Sequence, residues 1–174
     1  DEHLSLVLVG NEPQVKPLLD KTDGANHRIE FVHTDEVVGM DESPGVAMRR
    51  KPKSSINLCW SLLANGSVDG LVSAGNTGAV VAGGLRTRRF LDGVHRPGIA
   101  VTIPTMTGVS IMIDAGANLN PKPEHLLQYG MMGNAYVKQV LGIHHPSIGL
   151  MNIGSEDTKG TSLAKETAQL FRNS

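Results

Sequence analysis

Short apolar runs that end in glycine or asparagine recur along this chain and alternate with helical stretches. That alternation limits the fold more than any other feature. Residues 4–10 form a near-continuous apolar run, the kind buried on both faces of a parallel sheet. Further short runs predict strands at 29–33, 70–72, 98–103, 109–113 and 148–153. Helices are expected between them. One spans 11–20, with Asn11 as cap and Pro13 in the first turn. A short one covers 46–50, and another runs to Ala64 from a cap at Ser54 or Ser55. The next opens at Asn76 or Thr77, a fourth long one covers 123–141, where Gly130 and Gly133 weaken the pattern, and the last covers 161–172. Thr107-Gly108 between two strands suggests a hairpin. Strands alternating with helices predict an α/β fold with a mostly parallel sheet covered on both faces, in a single domain over 1–174.

Composition narrows the class. Apolar residues make up 40% and aromatic ones only 3%, so the core is built from aliphatic side chains. A net charge of -1 gives no support for nucleic acid. The single cysteine, Cys59, excludes an intrachain disulfide and fits a reducing, cytoplasmic compartment. No apolar run is long enough to span a bilayer, and no signal peptide is visible. The chain starts at Asp1 close to a strand and ends just after a helix, so it is expected to be a piece of a longer protein.

Three strand ends share one design: Ser73-Ala74-Gly75-Asn76-Thr77-Gly78, Asp114-Ala115-Gly116-Ala117-Asn118, and the stretch from Asn152 through Gly154, Glu156 and Lys159 to Gly160. Each sets polar groups beside glycine at the carboxyl end of an apolar run, the edge where open α/β sheets bind ligands. Three such loops on one edge would form a pocket of N–H donors with one ammonium, Lys159, which suits phosphate. At the first loop, a helix starting at Asn76 or Thr77 also presents backbone N–H groups to an anion. The plainer reading is a tight strand-to-helix connection. Neither a Walker A motif nor G-x-G-x-x-G is present, which argues against a nucleotide. There is no G-x-S-x-G, and Cys59 lies in an apolar helical stretch, so a covalent nucleophile has no support. His144-His145 reads as a solvated turn rather than a metal site. Lys122, Glu124 and His125 stand at a helix start, where ordinary capping chemistry also explains them. Basic residues cluster at Arg49, Arg50, Lys51 and Lys53 and again at Arg86, Arg88, Arg89 and Arg96.

Taken jointly, Val72 to Ala79, Arg96-Pro97, Asp114 to Asn118, Lys122-Pro123-Glu124-His125-Leu126, Asn152-Ile153-Gly154 and Glu156 to Gly160 resemble the bacterial phosphate acyltransferase PlsX family in order and spacing. The likeness runs from Leu4 to about Leu170. The family's opening D-A-M-G-G-D strand and its later T-D-G-F-T-G-N motif are absent, in keeping with a fragment. The resemblance implies a three-layer α/β/α sandwich similar to the phosphotransacetylases. It implies formation of acyl phosphate and free acyl carrier protein from acyl-ACP and inorganic phosphate, for phospholipid synthesis. No cofactor or metal is implied. Full-length members resemble peripheral membrane homodimers.

The implied reaction has a phosphate oxygen attack a thioester carbonyl, so no protein nucleophile is needed. On this reading Lys159 holds phosphate or polarises the carbonyl. Ser73, Asn76 and Thr77, with the backbone at Gly75 and Gly78, cradle the anion, and Asn118 and Asn152 orient it. His125 is the candidate proton donor to the leaving thiolate. Asp114, Lys122, Glu124 and Glu156 complete the expected substrate-binding set. Arg49, Arg50, Lys51, Arg86, Arg88 and Arg89 are candidates for docking the acidic carrier protein. Two rivals stay open: a phosphotransacetylase-type enzyme acting on coenzyme A thioesters, and a non-catalytic phosphate-binding fragment.

Overall fold

The structure is a computed structural model, and the residues it describes are 3–21, 28–154 and 159–174. They group into two compact units, Asp1–Arg89 and Phe90–Ser174. The fold is mixed α/β, with six helices, one parallel strand pair and one antiparallel hairpin among the described residues.

In the first unit, strand β1 (Leu6–Gly10) pairs in parallel with β2 (Ile29–His33), Leu6 opposite Ile29 and Gly10 opposite His33. Helix α1 (Glu12–Leu19) leaves β1 at once, because the Asn11 side chain accepts the Gln14 N–H at 3.0 Å. Helices α2 (Pro44–Arg50), α3 (Ser55–Ala64) and α4 (Thr77–Thr87) make the rest of the unit. Ser54 takes the cap position of α3, yet its buried hydroxyl makes no cap bond. The start of that helix is instead tied to the preceding loop, with Ser55 N–H donating to the Glu36 carbonyl at 3.1 Å. Val38, Ala47, Met48, Ile56 and Ala79 form the core, with Trp60, Val80 and Ala82 packed around it. Burying a side chain the size of Met48 is worth roughly 1.5–3 kcal/mol. Two glycines let α3 and α4 approach. A Cβ on Gly83 or Gly84 would run into the Trp60 indole, and that indole donates to the Val80 carbonyl at 2.9 Å.

In the second unit, β3 (Ala100–Thr105) and β4 (Gly108–Ile113) form the expected hairpin, turning at Met106-Thr107. The strand does not stop before Pro104 as the sequence suggests. With Thr105 and Gly108 closing the two-residue turn, Pro104 opposite Val109 is a non-hydrogen-bonded pair, so its missing N–H costs nothing there. Helix α5 (Pro123–Val140) runs unbroken through both glycines. Gly130 faces α6 (Ser162–Arg172), since a Cβ there would overlap the Phe171 ring. The Thr161 hydroxyl caps α6 by accepting the Ala164 N–H at 3.2 Å.

Two expected strands are absent. Residues 70–72 and 148–153 carry no strand pairing among the described residues. Several of their apolar side chains lie open: Val72 is 99% exposed and Ile153 84%, while Leu71 and Leu150 are half-buried. Both runs have strand composition, but a strand exists only through a neighbour that accepts its backbone bonds. In place of the expected mostly parallel sheet, the described residues hold one parallel pair in the first unit and one hairpin in the second.

Candidate functional site

At the loop before α4, Ser73, Gly75, Thr77 and Gly78 are exposed, and the Ser73 hydroxyl accepts the Gly75 N–H at 3.2 Å. Asn76 does otherwise. It is only 6% exposed, its Oδ1 caps α4 at the Ala79 N–H (3.0 Å), and its Nδ2 faces the carbonyls of Gly39, Met40 and Glu42 at 3.1–3.2 Å. Its amide is thus spent on fastening the 39–42 loop. Gly78 likewise serves packing, because a Cβ there would meet the Pro44 ring at 2.5 Å. The same loop is knit from outside. The Glu42 carboxylate accepts from Gly39 N–H and Lys51 Nζ, and Lys51 also donates to the Val37 carbonyl at 2.7 Å. The hydrogen bond from Lys51, then that from Gly39, holds the Glu42 carboxyl below the usual range.

The candidate docking cations divide. Lys51 is committed as above. Arg86 Nη1 donates to the Met48 carbonyl at 2.9 Å, and Arg49 Nε to the Gly45 carbonyl at 3.0 Å. Arg50, Arg88 and Arg89 are exposed, and Arg88 ends α4 in the left-handed conformation, φ 52°.

The Asp114 loop is wound around its own carboxylate. Oδ1 accepts from the N–H groups of Ile99 (2.8 Å) and Ala117 (3.0 Å). Oδ2 accepts from the Asn118 N–H (2.8 Å) and the Asn118 Nδ2 (3.0 Å). Partial burial raises this carboxyl's pKa, and the hydrogen bonds outweigh it, so the group lies below its ordinary range. Asn118 Nδ2 also donates to the Pro97 carbonyl at 2.9 Å, and its Oδ1 accepts from Arg96 Nη1 at 3.4 Å. Arg96 is thereby drawn to the loop.

Lys122 and His125 follow at the start of α5. His125 Nδ1 accepts the Lys122 backbone N–H at 3.1 Å. Desolvation, then the charges of Arg96 and Lys122, push the imidazole pKa down; Glu124 opposes them and His95 adds to them. One turn on, Gln128 grips the 93–95 loop. Its Oε1 accepts the His95 N–H at 3.0 Å and its Nε2 donates to the Gly93 carbonyl at 2.8 Å. Nothing in the sequence singles out Gln128 or His95, while Arg96 stands both in a basic region and in the Arg96-Pro97 pair of the family resemblance. A Gln three positions after a helix-start His, facing an Arg-bearing loop, has no recognisable spacing.

A cavity of about 730 Å³ in the same unit is lined by β4, the inner face of α5, residues 147–151 and Phe171, with Asp114 and Asn118 among its polar walls. Tyr129 lines it and is 2% exposed, and its hydroxyl has no partner among the described residues. Burial, then the Asp114 charge, raises its pKa.

In the third loop, Asn152 Nδ2 donates to the Lys159 carbonyl at 3.3 Å, and Gly160, at φ 103°, leaves room for that amide. Asn152 thus ties the two ends of the loop together. Lys159 is exposed. Glu156 lies outside the described residues. No helix among them is long and apolar enough to cross a membrane.

The family described as "Fatty acid synthesis protein" matches residues 1–174. Proteins named phosphate acyltransferase are similar to this chain. That of Anoxybacillus flavithermus is 41% identical over 173 residues, covering 99% of this chain and 51% of that protein. Those of Desulfitobacterium hafniense (43% identical, 97% and 50% covered) and Listeria innocua (41%, 98% and 50%) match alike. The chain spans about half the length of these curated relatives.

Proposed function

We propose, on the premise that this chain belongs to the fatty acid synthesis protein family, that it is half of a phosphate acyltransferase, which joins the acyl group of acyl-ACP to inorganic phosphate for phospholipid synthesis. The observation that carries this reading is the Asp114 loop. Its carboxylate is consumed inward by four donors, while Arg96, Lys122 and His125 stand together at its rim. Two cations and a nitrogen donor are the recognition chemistry of a phosphoryl group.

Within the second unit, Lys122 and His125 take the phosphate, Asp114 and Asn118 hold that rim in shape, and Glu124 sets the charge around His125. Lys159 polarises the thioester carbonyl or holds the attacking phosphate, with Asn152 fixing its loop and Glu156 beside it in sequence. The cavity behind Asp114 has the volume and the apolar walls of a small-molecule site and suits the acyl chain. In the first unit, the exposed turn from Ser73 to Gly78 is a second anion-facing element. It acts through the Ser73 and Thr77 hydroxyls and the backbone of Gly75 and Gly78, with Asn76 as its brace. Arg50, Arg88 and Arg89, with Arg49, are the cations left to meet an acidic carrier protein. Lys51 and Arg86 hold the unit together. The three-layer sandwich, cytoplasmic placement and peripheral membrane homodimers belong to the same reading. They fit the two apolar segments that lack strand neighbours here.

The test is phosphate-dependent release of free thiol from acyl-ACP, with acyl-CoA run in parallel, by a polypeptide of the relatives' length carrying this sequence. Acyl-ACP turnover supports the proposal, and preference for acyl-CoA would favour the phosphotransacetylase reading. In the same polypeptide Lys159→Ala lowers turnover at least about tenfold, because losing a charge-assisted contact to the transition state costs on the order of 2–4 kcal/mol. A change under about twofold removes Lys159 from the mechanism.

A further inference from the structure

We infer that His125 meets the phosphate as a neutral imidazole donating through Nε2–H, and that Gln128 is the positioning residue that sets Arg96 beside it. The substrate in this inference rests on the function proposed above, whereas the tautomer and the positioning rest on geometry alone.

A backbone N–H can only donate, so the Lys122 N–H at 3.1 Å from His125 Nδ1 requires a lone pair on that nitrogen. In the neutral ring the proton is therefore on Nε2. Protonating Nδ1 would break this contact and leave the Lys122 N–H facing another N–H. The groups around the ring act in the same sense. Arg96 from the 93–97 loop and Lys122 from the helix start disfavour a further positive charge, as does His95, and Glu124 alone favours one. A neutral imidazole held this way is a hydrogen-bond donor rather than an acid. It keeps its proton throughout, which differs from the proton-donor role that the sequence suggested. The reaction does not need that proton. A thiol has a pKa of about 8.5, so the thiolate leaves readily by itself.

Gln128 enters through the backbone it grips. On α5 it lies three residues beyond His125, on the same side of the helix. Its two bonds to His95 N–H and the Gly93 carbonyl fix the main chain on either side of residue 94. Arg96 follows immediately, reaching Asn118 at 3.4 Å. Both of these bonds are to backbone, and Gln128 Nε2 also lies 3.4 Å from His95 Nδ1, so the amide holds the loop at residue 95 by main chain and ring together. Beside the Lys122 ammonium, the arrangement thus gives the phosphate the permanent charge of Arg96 and one neutral donor.

The experiment is a pH titration of the chain with ¹⁵N-labelled histidine, followed by NMR, for the native sequence and for Gln128→Ala and Arg96→Gln. The native His125 shows the Nε2–H tautomer at neutral pH and titrates below the ordinary histidine value of about 6.5. In Arg96→Gln its midpoint moves up. In Gln128→Ala it moves up as well, with the tautomer unchanged and the amide spectrum still that of a folded chain. An Nδ1–H tautomer, or a native midpoint at or above the ordinary value, overturns the role of His125. A midpoint that responds to Arg96→Gln but not to Gln128→Ala overturns the positioning role. None of these readings uses acyl transfer, so a failed turnover assay would sink the proposed function and leave them standing.

Discussion

The loops at Asn76 and at Asp114 look alike in sequence and are built for opposite purposes. Each sets an amide or carboxylate beside glycine at the end of an apolar run. In the first, the polar side chain turns inward and bonds to another part of the chain, the 39–42 carbonyls, and the neighbouring glycine makes room for Pro44. In the second, the carboxylate satisfies its own loop's N–H groups and leaves the flanking cations at the rim. The same residue types therefore fasten a distant segment in one place and shape their own loop in the other. What separates them is where their partners lie: 34 to 37 residues away for the Asn76 amide, but three and four residues on, with Ile99 fifteen residues back, for the Asp114 carboxylate.

The largest effect expected from this contrast is on stability at the first loop. Asn76→Ala removes a helix cap and the donor to three carbonyls, a loss of about 3 kcal/mol in denaturant unfolding. A loss under about 1 kcal/mol would mean that Asn76 is not a brace. Asp114→Asn comes next, at about 2 kcal/mol, because an amide NH₂ would be turned toward donors the carboxylate now accepts. This effect carries a pH signature. Asp114 has a folded pKa below its unfolded value, so its contribution is fully present above about pH 4 and is lost as pH falls through the folded pKa. The stability gap between native and Asp114→Asn chains should be flat near neutrality and close in acid; a gap that widens in acid breaks the account. The smallest effect sharpens the view of the glycines. Gly78→Ala costs about 1–2 kcal/mol through overlap with Pro44. At Gly75 a Cβ would make ordinary contacts at 3.4 and 3.5 Å, so Gly75→Ala should stay within about 0.5 kcal/mol. Thermal unfolding of the pair checks the order.

Local signals carried much of the fold. Asn11 and Thr161 cap their helices as their types demand, β2 begins and ends where its apolar run does, and the expected hairpin forms, with its turn at Met106-Thr107 one residue before the expected Thr107-Gly108. Each depends on contacts within a few residues or on one adjacent strand. The runs at 70–72 and 148–153 failed for the complementary reason, since their composition says strand while pairing depends on distant chain. At the site, the helix-start chemistry of Lys122 and His125 was legible, and so was the Asp114 to Asn118 motif. Asn76 caps α4, as the sequence offers, but the sequence also expects its amide to meet the anion, because nothing local announces the 39–42 carbonyls. Nothing in the sequence announces Gln128, because its shorter bonds go to backbone atoms, which leave no trace in residue type, and its one side-chain partner, His95, lies 33 residues away.

The central claim is that the rim of the Asp114 loop meets phosphate while the Asn76 side chain serves the fold. Its most direct test is titration of the ¹⁵N-labelled chain with inorganic phosphate at neutral pH, reading side-chain resonances of both loops in one sample. The account predicts saturable shifts at His125 Nε2 and at the Arg96 guanidinium, with the Asn76 amide unmoved. Shifts of the Asn76 amide with His125 and Arg96 unchanged would contradict it.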